Sequence, residues 1–314
     1  MIAKGSIGVA SNKKSKPKEI GDFIWVVDKS YKCISTKKGE LCTLLSCQPK
    51  VESRTLLWTC TAKGTLYSVA EIGSKEAVYH FWNACFDQKR TEFHAHYLRS
   101  RYDEAYKVVK SPESPEIPFG WVAIDVVESL CADLADPRNP LIEDLEDAVK
   151  VKVDGEELYL SKKVLCGSSR FFDVLFNKNF KEKTSGQGKS RKRKAEDTYE
   201  LPDIKLDELI HFLGFLHGFD TTINKSTIEF LLKLADMYQC KSVLRRCEDF
   251  LRNVDNKDVS LAEKIRLADH FKLHRILMEE VEKISIADLK ALPKGKLSLF
   301  AMELFMQKFN MHEP

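Results

Sequence analysis

Gly188-Lys189-Ser190 is followed at once by Arg191-Lys192-Arg193-Lys194, and the two motifs imply different chemistry. Gly-Lys-Ser ends a phosphate-binding loop only when a glycine stands five positions before its own glycine, so that successive backbone amides wrap the phosphates. Here that position is Lys183, and the preceding "NKNFKEK" is polar where a buried strand would be needed, so no phosphate loop is expected. The basic run has two active uses: a nuclear address read by an importin, or non-specific contact with phosphates. Plain solvation is the third reading. The residues of the nuclear signal would be Lys189, Arg191, Lys192, Arg193 and Lys194.

A second constellation is His80, Cys85, His94 and His96. His-x-His on a strand puts both rings on one face, and a thiolate is a soft ligand for zinc. A structural zinc site needs four organised ligands, and His80 and Cys85 would have to come from a different element. Ordinary polar and core roles are the better reading, and neither a metal nor a cofactor is expected. No Gly-x-Ser-x-Gly elbow occurs, and no cysteine stands in a local nucleophile signature. Cys240 and Cys247 fall seven apart in a helical pattern, the spacing that packing alone produces. Trp25, Trp58, Trp82 and Trp121 could stack on bases, but little basic interleaving accompanies them, so they read as core. None of these residues assembles a catalytic set, and an enzyme is not expected.

The bulk numbers agree with a folded globular protein of more than one module. The 314 residues are enough for two domains, each burying its own core. Lys and Arg number 50 against 47 Asp and Glu, a net charge of +3, which argues against a surface built for nucleic acid. Nine cysteines, an odd number with no Cys-x-x-Cys pair, read as reduced thiols, so the expected location is nucleus or cytoplasm. No apolar run approaches the roughly 18 residues of a membrane span.

The elements that must position these residues divide the chain. Residues 1–18 are basic and rich in small side chains, and read as a flexible tail. From 19 to 127, stretches such as "IGDFIWVVD" and "TLLWTCTAKGTLYSV" are short, β-branched and aromatic, so this region reads as β-rich. "EAVYHFWNACFDQ" within it reads as a short helix. Residues 128–146 carry Pro137 and Pro140 among acidic residues, and read as a linker. Val149, Val151 and Val153 alternate with Lys150 and Lys152 before Asp154-Gly155, the pattern of a hairpin with a tight turn. "SRFFDVLFN" is compatible with a short buried helix, "TYELPDI" with a strand, and everything from Leu206 with helices. Ser226 with Glu229, and Ser260 with Glu263, have capping-box spacing. The fold class is α+β: a β-rich, sandwich-like domain, then an α/β unit over 147–252 with a basic insert at 183–197, then a helical extension over 253–314.

The second half resembles a BTB (POZ) domain along about 105 residues. The resemblance rests on Asp147 opening the hairpin, on Lys162, Leu165, Ser169 and Phe172, on Phe180 and Glu182, and on Leu232, Ala235, Asp236, Tyr238 and Cys247. The helices after it resemble those that follow BTB domains in speckle-type adaptors, in which a MATH β-sandwich precedes the BTB domain. Only the strand rhythm of 19–127 is similar to MATH. The resemblance implies protein binding: homodimerisation, a groove for cullin three, and a ubiquitination substrate held by residues 19–127. Phe180-Lys181-Glu182 matches the family's hydrophobic-x-Glu cullin-contact motif, an aromatic anchor beside a carboxylate that fixes register. The alternative is a buried loop anchor beside a solvated carboxylate. His217 stands where the family commonly has a cullin-touching Tyr, and Ser161 where it usually has a His. Pro137 and Pro140 interrupt the segment of the dimer-forming first helix, where an interior proline costs on the order of 3 kcal/mol. The rival reading is a BTB-type nuclear scaffold or transcriptional co-regulator that binds no cullin.

Overall fold

The computed structural model describes residues 3–8, 14–30, 42–69, 76–96, 108–110, 120–184, 198–292 and 297–312. It divides into two compact units: Met1–Leu141 with the short segments Val153–Tyr159 and Gly218–Thr222, and the remainder of the chain.

The first unit is built from two antiparallel sheets. One takes the strand order β1-β9-β5-β6-β8, with β1 Lys4–Gly8, β5 Leu56–Val69, β6 Glu76–Asp87, β8 Val108–Lys110 and β9 Gly120–Asp133. The other is β2 Lys18–Ile20, β3 Phe23–Ser30, β4 Cys42–Pro49 and β7 Glu92–His96 in sequence order. Alternation explains the packing. Phe23, Trp25 and Val27 of β3 are wholly buried, as are Cys60 and Ala62 of β5 and Val122 and Ile124 of β9. The Trp25 ring meets Phe86 edge-on with centroids 5.2 Å apart, and Phe23 lies 5.7 Å from Trp58, so the inner faces of the two sheets interlock through aromatic rings. Trp25, Trp58 and Trp82 are therefore core residues, while Trp121 is half-buried.

Two expectations are corrected here. Residues 4–8, placed in a flexible tail, form β1, paired antiparallel with β9 from Lys4↔Asp125 to Gly8↔Trp121, and Ile7 is buried. Residues 76–88, read as a short helix, are the strand β6. Trp82, Ala84 and Phe86 point inward while Phe81 and Asn83 point out, a period of two. The aromatic spacing that imitates a helix face is overridden by eleven residue pairs with β5. β5 needs Gly64 to pair with β9 on its other side: a Cβ there would stand 1.9 Å from the Ala123 carbonyl oxygen of β9, and 3.0 Å from the Trp82 indole nitrogen of β6.

In the other half of the chain β10 (Ala148–Val153) and β11 (Glu156–Ser161) form the expected hairpin. Asp154 and Gly155 both take positive φ, 50° and 83°, as the twist-matching two-residue turn demands. The strand β12 (Thr198–Glu200) joins β10 in parallel, Val151 opposite Tyr199. Helices follow: α1 Lys162–Ser168, α2 Arg170–Thr184, α3 Leu206–Leu216, α4 Ile228–Met237 and α5 Lys241–Asn253. Every described side chain of α3 from Leu209 to Leu216 is buried, which is why its sequence is apolar nearly all round.

The extension comprises α6 Leu261–His270, α7 His274–Lys283, α8 Ile286–Ala291 and α9 Leu299–His312. It packs with the preceding helices as part of one compact unit. Arg266 of α6 reaches Glu229 of α4 at 2.9 Å, Arg252 of α5 reaches Glu279 of α7 at 3.0 Å, and the buried Lys264 donates to the Val254 carbonyl that ends α5. Ser260 caps α6 as its spacing predicts, accepting from Glu263 N at 3.3 Å. Ser226 does not cap α4. Its hydroxyl donates to Asn224 Oδ1 and the N-cap falls on Thr227, because the Asn224 side chain organises this turn first.

Candidate protein-docking face

The start of α1 is fixed by a buried cluster around Asp147. One carboxylate oxygen accepts from the Ser161 hydroxyl at 2.6 Å, and the other from the Lys163 amide at 2.7 Å. Ser161 is also the N-cap of α1, accepting from Val164 N at 3.2 Å, so a single hydroxyl joins the first strand of the hairpin to the first turn of the helix. Ser169 works the same way one helix later: it accepts from Phe172 N and donates to the Tyr238 carbonyl.

These anchors set the rotation of α2. Phe172 and Phe176 turn inward, 1% and 3% exposed, with Phe172 against Tyr238 at 4.6 Å between centroids. Phe171 and Val174 consequently face outward, 36% and 37% exposed, and the Phe171 ring lies tilted against Tyr238, next in sequence to the 41% exposed Met237. This outward apolar edge of α2 was not singled out from the sequence, although its i, i+3 spacing, opposite the Phe172–Phe176 stripe, is a readable signal.

The expected contact residues are distributed along the same elements. Phe180 and Glu182 lie in the last turns of α2; their side chains are outside the described residues. His217 is the C-cap of α3, its amide donating to the Leu213 carbonyl at 3.0 Å. Its ring is half-buried, and that burial pulls its pKa down to about 4 against the opposing charge of Asp147, so the imidazole is neutral at physiological pH. Lys189, Arg191, Lys192, Arg193 and Lys194 lie outside the described residues, in sequence between the end of α2 and the start of β12. Of residues 128–146, β9 takes the part to Asp133 and the rest is turns, closed by Asp136 and Asp144 side chains that accept from Arg138 N and Asp147 N; no helix forms there. Lys163 holds Glu143 at 2.8 Å, and Leu145 stands 69% exposed.

No group of three or more His, Cys, Asp or Glu among the described residues could hold a metal ion. His80 sits on β6 and His94 and His96 on β7, in different sheets, and their side chains are outside the described residues. Burial pushes the thiols of Cys131 and Cys240 up to about 11 and that of Cys247 up to about 12, with Cys47 higher still. These thiols therefore stay protonated and poorly nucleophilic near neutrality. No helix among the described residues is long and apolar enough to cross a membrane.

A hairpin with an Asp at its entry, a capped helix pair, a parallel third strand and three further helices are thus in place between Glu143 and Asp255. Residues 143–255 match the family model of the BTB/POZ domain. This region is a BTB domain. As such it marks the chain as a protein-interaction adaptor. The chain is similar to BTB and MATH domain-containing protein 36 of Caenorhabditis elegans, 26% identical over 281 residues that cover 86% of this chain and 81% of that protein. It is also similar to BTB and MATH domain-containing protein 38 of the same organism, 27% identical over 45% of this chain and 33% of that protein. Kelch repeat and BTB domain-containing protein 1 of vaccinia virus (strain Copenhagen) is 21% identical over 35% of this chain and 18% of its own length. The first of these alignments is too long for the BTB domain alone and takes in much of the β-rich unit as well.

Proposed function

We propose that this chain is a substrate adaptor of a cullin-RING ubiquitin ligase, working as a homodimer. In this reading the BTB domain engages cullin three through the end of α2, and residues 19–127, acting as a MATH-type sandwich, hold the protein to be ubiquitinated. The adaptor contributes no reacting group; tethering substrate and ligase on one chain raises their effective concentration, and proximity does the rest. The observation that carries the reading is the hydrophobic-x-Glu triplet Phe180-Lys181-Glu182 in the last turns of α2, on the helix that already turns Phe171 and Val174 outward. An apolar anchor flanked by a carboxylate is the composition of a docking hot spot. His217 adds a neutral imidazole at the end of α3. Co-precipitation of cullin three with the parent chain and with Phe180→Ala/Glu182→Ala tests this: the double variant should recover at least tenfold less cullin. Equal recovery refutes the α2 assignment, and absence of cullin from both would leave a BTB scaffold without a ligase.

The basic block gives the reading an address. Lys189 and Arg191 to Lys194 are a short basic run in the sequence of the kind an importin reads, which would place the adaptor's work in the nucleus. Alanine at 191–194 in a fluorescent fusion should lower the nuclear fraction severalfold; an unchanged distribution removes the importin from the list of partners.

A further inference from the structure

We draw no further inference here: the strongest candidate, the outward-facing apolar stripe of Leu299, Met302 and Met306 along α9 (83%, 40% and 60% exposed), is an unpartnered helix face, and nothing in the structure shows what covers it.

Discussion

The β-rich unit and the BTB domain with its helical extension hold themselves together over different distances along the chain. In the first, β1 is stitched to β9 across more than a hundred residues, and the core closes only when Trp25 of one sheet meets Phe86 of the other. In the second, much of the ordering is local: Ser161 caps the turn that follows it, Ser260 does the same for α6, and Asp154-Gly155 folds a hairpin on itself. The difference is one of loop entropy. Local contacts form at little cost, whereas distant strand pairs must first close long loops. A unit of the first kind depends on a few places where distant backbones fit, and one of the second kind spreads its stability over many small terms.

That contrast can be broken most sharply at Gly64. Gly64→Val puts a side chain where the Ala123 carbonyl already stands, at a cost of about 4 kcal/mol or more. All four tryptophans lie in the β-rich unit and every described helix lies outside it, so the two halves report separately. The variant should lose the buried-tryptophan emission while keeping most of the far-UV helical signal. Joint loss of both signals would show that the units do not differ in this way.

A smaller effect belongs to His217. Its folded-state pKa, near 4, lies below the ordinary imidazole value of 6.5. Between those values the unfolded chain binds more protons than the folded one, and stability falls as pH drops through that window. The fall should reach on the order of 2 kcal/mol by about pH 4.5, read from the helical signal in denaturant melts. Carboxylate titration contributes to the same slope, so the measure is the difference between the parent and His217→Phe. Identical slopes would mean that the ring is solvated.

The smallest effect separates two serines of the same apparent kind. Ser161→Ala removes both a helix cap and a donor to the buried Asp147, and should cost about 1–2 kcal/mol. Ser226→Ala, whose hydroxyl caps nothing, should stay within about 0.5 kcal/mol. Equal losses would put the stabilisation in something other than the cap.

The residues themselves explain how far reading could go. The BTB domain was legible because its signals are short-range and chemically specific: an Asp opening a hairpin, an Asp-Gly turn, the spacing from Ser169 to Phe172. The outward face of α2 was less legible. Phe171, Phe172, Val174 and Phe176 are all apolar, and only the bonds from Ser169 to Phe172 N and to the Tyr238 carbonyl set which of them turn in. The capping spacing was an accurate guide at Ser260 and a poor one at Ser226, where Asn224 offered the backbone a competing partner.

The order of strands and helices in the BTB domain, the hairpin at Asp154 and the cap at Ser260 lie in the sequence itself, because each is decided by atoms only a few residues apart. That residues 76–87 are strand, that 4–8 belong to a sheet, and that Phe171 rather than Phe172 meets the solvent were decided by the tertiary structure alone. The partner is remote in the chain for two of these, β9 for β1 and Tyr238 for the aromatic pair, while β6 is held as strand by pairing along most of the neighbouring β5. A backbone group or an aromatic ring settles its state by what it is packed against, and one-dimensional spacing does not carry that information.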